Sequence, residues 1–162
     1  VILAAILINV ALPILPVQIL WINMTTAILL GLSLAFEPKA SGIMDRLPRP
    51  PEAPILTREL LIRIGIVGAV MLIGAFGLFE WELLKGATVE QARTIAVNVF
   101  VIVEMFYLYK SRSLSQSVFK IGLFSNPWAI GGTAQMLALQ LAYTYLPVMN
   151  RFFQRAPIDL AA

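Results

Sequence analysis

Ile14-Leu-Pro-Val-Gln-Ile-Leu-Trp-Ile-Asn-Met-Thr-Thr-Ala-Ile-Leu-Leu-Gly-Leu-Ser-Leu-Ala-Phe-Glu-Pro38 is the stretch that decides the fold. At about 1.5 Å per helical residue, a run of this length crosses a hydrocarbon layer of roughly 30 Å. Yet it carries Asn23, Thr25 and Thr26 at mid-depth and Gly31 just beyond. A helix that served only as an anchor would have no use for them. Polar side chains at that depth lose their hydration, so they face other helices or a wet cavity. Asn23, Thr26 and Ala27 share one helical face by the i, i+3, i+4 rule, which makes Asn23 and Thr26 a candidate oxygen cluster for a metal cation.

Composition agrees with a membrane setting. The chain is 59% hydrophobic and 13% charged over 162 residues, where a soluble domain would show roughly 45–50% and 25%. It contains neither cysteine nor histidine, which excludes disulfides, thiolate zinc sites and imidazole acid–base chemistry. A metal must then be held through oxygen. The sequence opens on Val1 within an apolar run, without methionine, a basic leader or a small-residue cleavage site, as an excised fragment would.

Working outward, the pattern predicts an all-α, polytopic transmembrane bundle: the end of one span over 1–12, then full spans over 16–36, 60–81, 92–109 and 127–147. Water-facing loops fall at 37–57 and 110–126. Pro13 and Pro16 break the first segment from the second. Asn9 either lines the polar centre or caps a helix end. Thr57 is a candidate N-cap for the second full span, with Glu59 in its first turn. Gly65 and Ala69, with Gly68, Gly74 and Gly77, offer a small-residue seam to a neighbouring helix. Ser125-Asn126-Pro127-Trp128 has the cap, first-turn proline and interfacial tryptophan of a helix start. In the last span, Ala134, Ala138 and Ala142 suggest a close-packing stripe. Gln135 and Gln140 are candidate interhelical hydrogen-bond partners, and Tyr143 and Tyr145 are expected at the water interface.

Glu104 is the one carboxylate expected deep inside a predicted span, among Val101, Ile102, Val103, Met105 and Phe106, whereas Glu80 and Glu82 flank Trp81 at the water interface. Insertion scales charge such a group roughly 2.5–3.5 kcal/mol at the bilayer centre, so it is expected to face the bundle interior. It is a candidate cation ligand or proton carrier, the alternative being a pair with Lys110 about 9 Å further along the helix.

Basic residues set the orientation. Lys39, Arg46, Arg49, Arg58, Arg63, Lys110, Arg112 and Lys120 lie on one side, against Lys85, Arg93, Arg151 and Arg155 on the other. Eight against four makes the proline-rich 37–57 loop cytoplasmic. The net charge of +3 is thus a topogenic signal, and no basic run interleaved with aromatics suggests nucleic-acid binding.

Pro16-Val-Gln-Ile-Leu-Trp-Ile-Asn23, Phe36-Glu-Pro38 and Ile43-Met-Asp-Arg-Leu-Pro-Arg-Pro-Pro51 together resemble the sixth transmembrane segment and following loop of type II P-type cation ATPases, nearest to the sarco/endoplasmic reticulum-type calcium pumps. Ile102-Val-Glu-Met105 with Ser113-Leu-Ser-Gln116 resembles the eighth segment and its exit loop. The resemblance implies that the four full spans are the sixth to ninth of a ten-helix domain. It implies an ATP-driven translocase in which an aspartate of a cytoplasmic domain is phosphorylated from Mg-ATP. It also implies that Asn23, Thr26 and Glu104 are ligands of the transported cation, Ca2+ or another. Its expected partners are the lipid bilayer, the inorganic cation and the remainder of its own chain, with no nucleic acid. Its expected location is multi-pass in a bacterial plasma membrane.

The sequence departs from those pumps at two points. They place an aspartate directly after the threonine matched by Thr26, where this chain has Ala27, and a proline where it has Leu30. Calcium favours six to eight oxygens including several carboxylates, so the loss of one argues for a single cation, a different cation or protons moving through Glu104. No Asp-Lys-Thr-Gly-Thr phosphorylation motif and no glycine-rich phosphate cradle occurs here, so this segment holds neither catalytic nor nucleotide-binding residues. The alternatives are a non-catalytic membrane scaffold, or a small secondary transporter or channel subunit, the latter disfavoured by the lack of an inverted repeat.

Overall fold

The computed structural model describes residues 1–39, 48, 50, 52, 54–112 and 118–158. Most of the 43–51 run, with Arg46 and Arg49, and the Ser113–Gln116 run lie outside them. Among the described residues the regular structure is entirely helical: α1 (Ile2–Leu7), α2 (Pro16–Thr26), α3 (Arg58–Leu84), α4 (Val89–Ser111), α5 (Val118–Ile121), α6 (Pro127–Tyr145) and α7 (Pro147–Phe153).

α2 does not stop at Thr26. It runs on through a π turn, Ala27–Gly31, and a 3-10 turn, Leu32–Phe36. Three side-chain hydroxyls bond back to the preceding turn. Thr25 Oγ1 donates to Trp21 O at 2.7 Å, Thr26 Oγ1 to Ile22 O at 2.8 Å and Ser33 Oγ to Leu30 O at 2.7 Å. Such back-bonding competes with the regular backbone ladder and accompanies local changes of helical pitch. Pro16–Phe36, α3 and α4 are long and apolar enough to cross a membrane, with mean hydropathies of 1.9, 2.2 and 1.4. α6 has 19 residues and no charged side chain, but Gly131, Gly132, Thr133, Gln135 and Gln140 keep it below the hydropathy of those three.

Local signals explain most helix ends. Thr57 Oγ1 accepts from Leu60 N at 3.3 Å at the start of α3, with Glu59 in the first turn. Asn126 Oδ1 accepts from Trp128 N and Ala129 N at 2.9 and 3.2 Å, with Pro127 opening α6. α3 ends on Gly86, whose φ of +90° suits a residue without a Cβ, and Ala87 N closes back on Glu82 O at 3.0 Å. Thr88 then starts α4 with a capping box to Gln91, so α3 and α4 form a tight antiparallel hairpin. Asn9 adopts a φ of +54° at the end of α1 and is exposed. It terminates a helix, and the polar centre forms without it.

The hairpin has its own small core of Ala75, Phe79, Ala92 and Ala96. Of the expected glycine seam on α3, only Gly74 meets a partner, 3.3 Å from Val99 Cγ1, whereas Gly65, Gly68 and Gly77 are open. The main core joins Ile14, Ile22 and Leu30 to Val97, Val101 and Leu108 of α4, to Ala129, Met136 and Tyr143 of α6, and to Phe153 of α7. The spacing of seven in Ala129, Met136 and Tyr143 keeps one face of α6 inward.

That face corrects the expected alanine stripe. Ala134 and Ala138 are exposed, and α6 packs through Gly132, Met136, Gln140 and Tyr143 instead. In a helix apolar on every side, small residues face lipid as readily as protein, so an alanine repeat does not fix the packed face. Tyr143 is fully buried in the bundle, stacked on Trp21 at 5.5 Å between ring centres, with the Arg155 guanidinium 4.1 Å from its ring centre. Gln140 does bridge helices, while Gln135 is exposed.

Candidate cation site

α2 and α4 lie side by side, which brings Asn23 and Thr26 to the same space as Glu104. Asn23, Thr26 and Glu104 line one cavity of about 440 Å³ together with Ala27, Leu30, Gly31, Leu34, Tyr107 and Ser111. Asn23 and Glu104 also line a second cavity, of about 490 Å³, whose other walls include Ile14, Ile22, Gly68, Met71 and Phe100. The first extends toward the C-terminal ends of α2 and α4, and the second toward the N-terminal end of α2. The Asn23–Glu104 pair stands where the two adjoin.

The chemistry of this junction is unbalanced toward acceptors. Glu104 Oε2 is buried without a hydrogen-bond partner. The side chain within hydrogen-bonding reach of the carboxyl is Thr26, but its hydroxyl donates to Ile22 O at 2.8 Å. A hydroxyl has one proton to give and cannot serve both oxygens at once. A buried carboxyl oxygen short of donors is stabilised by a cation or by its own proton. Asn23 is exposed and Glu104 half-buried, both toward the cavities. Among the described residues no group of three or more acidic side chains gathers in one place; Asn23, Thr26 and Glu104 offer one amide oxygen, one hydroxyl and one carboxylate, with Tyr107 and Ser111 on the same wall.

Two polar clusters flank the site; of their members the sequence pointed only to Gln140 as an interhelical partner and to Asn126 as a cap. On the side of the 37–57 loop, Arg112 reads locally as one more loop cation, yet it is buried against Glu37 and bonds further to Gly122 O and Leu123 O at 3.1 Å each. Asn126, expected only to cap α6, also donates through Nδ2 to Glu37 Oε2 at 2.7 Å and to Ser33 O at 3.3 Å. On the other side, Trp21 Nε1 donates to Gln140 Oε1 at 3.4 Å, and Gln140 Nε2 to Asn98 Oδ1 at 2.8 Å. Arg93, counted above as a topogenic charge, donates through Nε to Leu12 O at 2.9 Å and fixes the α1–α2 connection.

Fold and site together define a multi-pass helical membrane domain with a polar, acceptor-rich junction between two of its helices. Residues 11–162 match the family model described as the C-terminus of cation-transporting ATPases. The probable cation-transporting ATPase F of Mycobacterium bovis is 56% identical over 160 residues, covering 99% of this chain and 18% of that protein. The cation-transporting ATPase pma1 of Synechocystis is 36% identical over 98% of the chain and 18% of its own length. The mouse calcium-transporting ATPase type 2C member 1 is 30% identical over 96% of the chain and 17% of its own length. The chain therefore belongs to the C-terminal family of cation-transporting ATPases, and it spans about a fifth of the length of the relatives it matches.

Proposed function

We propose that this chain is the membrane part of an ATP-driven cation pump and that Asn23, Thr26 and Glu104 contribute to the site of the transported cation. The observation that carries this reading is the shared cavity of about 440 Å³, in which these three side chains face one space beside an unpartnered carboxyl oxygen. Glu104 supplies the negative charge, while Asn23 and Thr26 supply neutral oxygens that replace water on an incoming ion. Mg-ATP is hydrolysed in other domains of the longer protein, and the spans move against one another to open the junction to either side. Identity to mycobacterial and cyanobacterial relatives supports a bacterial plasma membrane. Ca2+ is the first ion to test, because relatives at about 30% identity are named calcium-transporting. Ala27 on the cavity wall favours a second reading, a non-catalytic scaffold whose ion site has decayed by loss of the carboxylate the resemblance expects there.

The test is ATP hydrolysis by the full-length pump against a panel of cations, including Ca2+, with Glu104→Gln alongside. The pump reading expects the variant to lose its ion dependence. Unchanged ion dependence would remove Glu104 from the site, and the absence of ATP hydrolysis with every cation would favour the non-catalytic scaffold.

A further inference from the structure

Gly132 lies inside α6 at a point where no side chain fits. A Cβ placed on it would fall 2.4 Å from the Leu29 carbonyl oxygen and 3.3 Å from the Leu29 carbonyl carbon. Both are backbone atoms, which cannot rotate out of the way. A methyl group there must displace the carbonyl by roughly 1 Å to reach ordinary van der Waals separation. Gly131, the preceding residue, has nothing within 4 Å. Glycine is a poor helix former at both positions, but only at Gly132 does the neighbouring backbone require it.

The carbonyl that Gly132 meets belongs to the π turn Ala27–Gly31. This turn has two working faces. Leu29 meets α6, while Ala27, Leu30 and Gly31 line the cavity shared with Asn23, Thr26 and Glu104. π turns are rare interruptions of the regular helix, so one marks a place where the surroundings hold the backbone in an alternative pitch. α6 holds this one at two heights: Gly132 against Leu29 O, and Asn126 Nδ2 donating to Ser33 O at 3.3 Å, one residue past the start of the 3-10 turn. Ser33 Oγ ties that level back to Leu30 O at 2.7 Å.

We propose that Gly132 is a positioning residue for the cation site. Its bare Cα lets α6 press directly on the Leu29 carbonyl, which fixes the π turn and thereby the placement of Thr26 and Asn23 opposite Glu104. The inference rests on the reading that these three side chains hold the transported cation. Gly132 touches no ion itself and acts through the backbone of α2.

The experiment compares Gly132→Ala with Gly131→Ala in the full-length pump, measuring the cation concentration that half-saturates ATP hydrolysis and, separately, the maximal rate per folded pump. Gly132→Ala is expected to raise the half-saturating concentration roughly tenfold, the effect of overpacking a close helix contact. Gly131→Ala, which gains the same helix propensity without a clash, is expected to match the parent. A purely structural role for Gly132 would lower the yield of folded pump and leave half-saturation within about twofold of Gly131→Ala. That result overturns the proposal. If Gly132→Ala does not accumulate, Ser33→Ala carries the test. It adds no atoms and frees the π turn from its tie to Leu30, with an expected shift of roughly threefold in the same direction. No shift in Ser33→Ala also overturns the proposal. Glu104→Gln in the same assay separates the two layers. Loss of ion dependence there with a silent Gly132→Ala refutes the positioning role alone, whereas unchanged ion dependence in Glu104→Gln refutes the site and the positioning role with it.

Discussion

Arg112 holds Glu37 through one edge of its guanidinium, Nε donating to Oε2 and Nη2 to Oε1, each at 2.9 Å. The arginine side chain is fully buried and the glutamate 14% exposed. Glu37 is the residue at which the 3-10 turn gives way to extended backbone, and Arg112 caps the end of α4. With Asn126 at the start of α6 also bound to Glu37, one carboxylate ties together the ends of three long helices next to the proline-rich loop.

A buried pair of this geometry is costly to break from one side. Arg112→Met leaves the Glu37 carboxylate uncompensated, for which about 3–5 kcal/mol of destabilisation is expected. Replacing both partners by apolar residues removes the stranded charge, so Arg112→Met with Glu37→Leu should recover part of the loss. Thermal unfolding of the full-length protein in detergent measures this. A double variant as unstable as the single one would show that the carbonyl contacts of Arg112, and not the ion pair, dominate.

The same pair fixes a pH dependence. Burial pushes the Glu37 carboxyl upward, but hydrogen bonds from Arg112 and Asn126 and the Arg112 charge outweigh it, and the result lies below the ordinary value of 4.5. A carboxyl lowered on folding adds stability that is fully present above its unfolded pKa, about 4.3, and is lost as pH falls through the folded value. Glu37→Gln is therefore expected to be less stable than the parent at neutral pH, with the gap closing below about pH 4.5. Unfolding midpoints of the two proteins from pH 7 to 3 would show this convergence. Parallel curves would mean that Glu37 is not ionised in the latch.

Much of this arrangement was legible in the chain, because it is written locally. Thr57 and Asn126 announce their helices through side chains that satisfy backbone N–H groups a few residues away, and a lone carboxylate such as Glu104 must turn inward wherever the helix sits. The spacing of Asn23 and Thr26 fixes a common face without reference to any partner. Contacts between distant residues left no such trace. Glu37 and Arg112 are 75 positions apart, and each taken alone looks like a solvated loop charge. The packed face of α6 is hidden from the sequence for a related reason: lipid and protein interiors select for similar residues, so Ala134 and Ala138 look as inward as Gly132 and Met136. The π turn is carried by ordinary apolar residues, and only the close approach of α6 gives it away.

Gln140 and Asn98 offer a test of how much polar contacts between spans contribute. Asn98 Oδ1 accepts from Gln140 Nε2 at 2.8 Å and from Thr144 Oγ1 at 3.1 Å, so it keeps one donor when the other is removed. A double-mutant cycle with Asn98→Ala and Gln140→Ala is expected to give a coupling of about 0.6–1.7 kcal/mol, the range found for hydrogen bonds between membrane helices. Unfolding free energies of the four proteins supply the number. Strict additivity would mean that Thr144 or water replaces the lost donor at no cost.

Ala27 is where the candidate site is weakest, and it can be altered without disturbing the core. It is exposed and lines the cavity that also holds Asn23, Thr26 and Glu104. A carboxylate introduced there would point into space already wide enough for an ion, at about 440 Å³. Without a cation, two carboxylates at this junction repel, and one takes up a proton. A divalent cation reverses that balance, because it replaces the proton and satisfies both groups. Ala27→Asp is therefore expected to lower the Ca2+ concentration that half-saturates ATP hydrolysis by the full-length pump, by on the order of tenfold, and to make that concentration fall more steeply with rising pH. In Ala27→Asp combined with Glu104→Gln, the gain should vanish, since a lone carboxylate leaves the ion with too few charged oxygens. A gain that survives in the double variant would show that the new aspartate binds the cation away from Glu104, and that the two helices do not share one site.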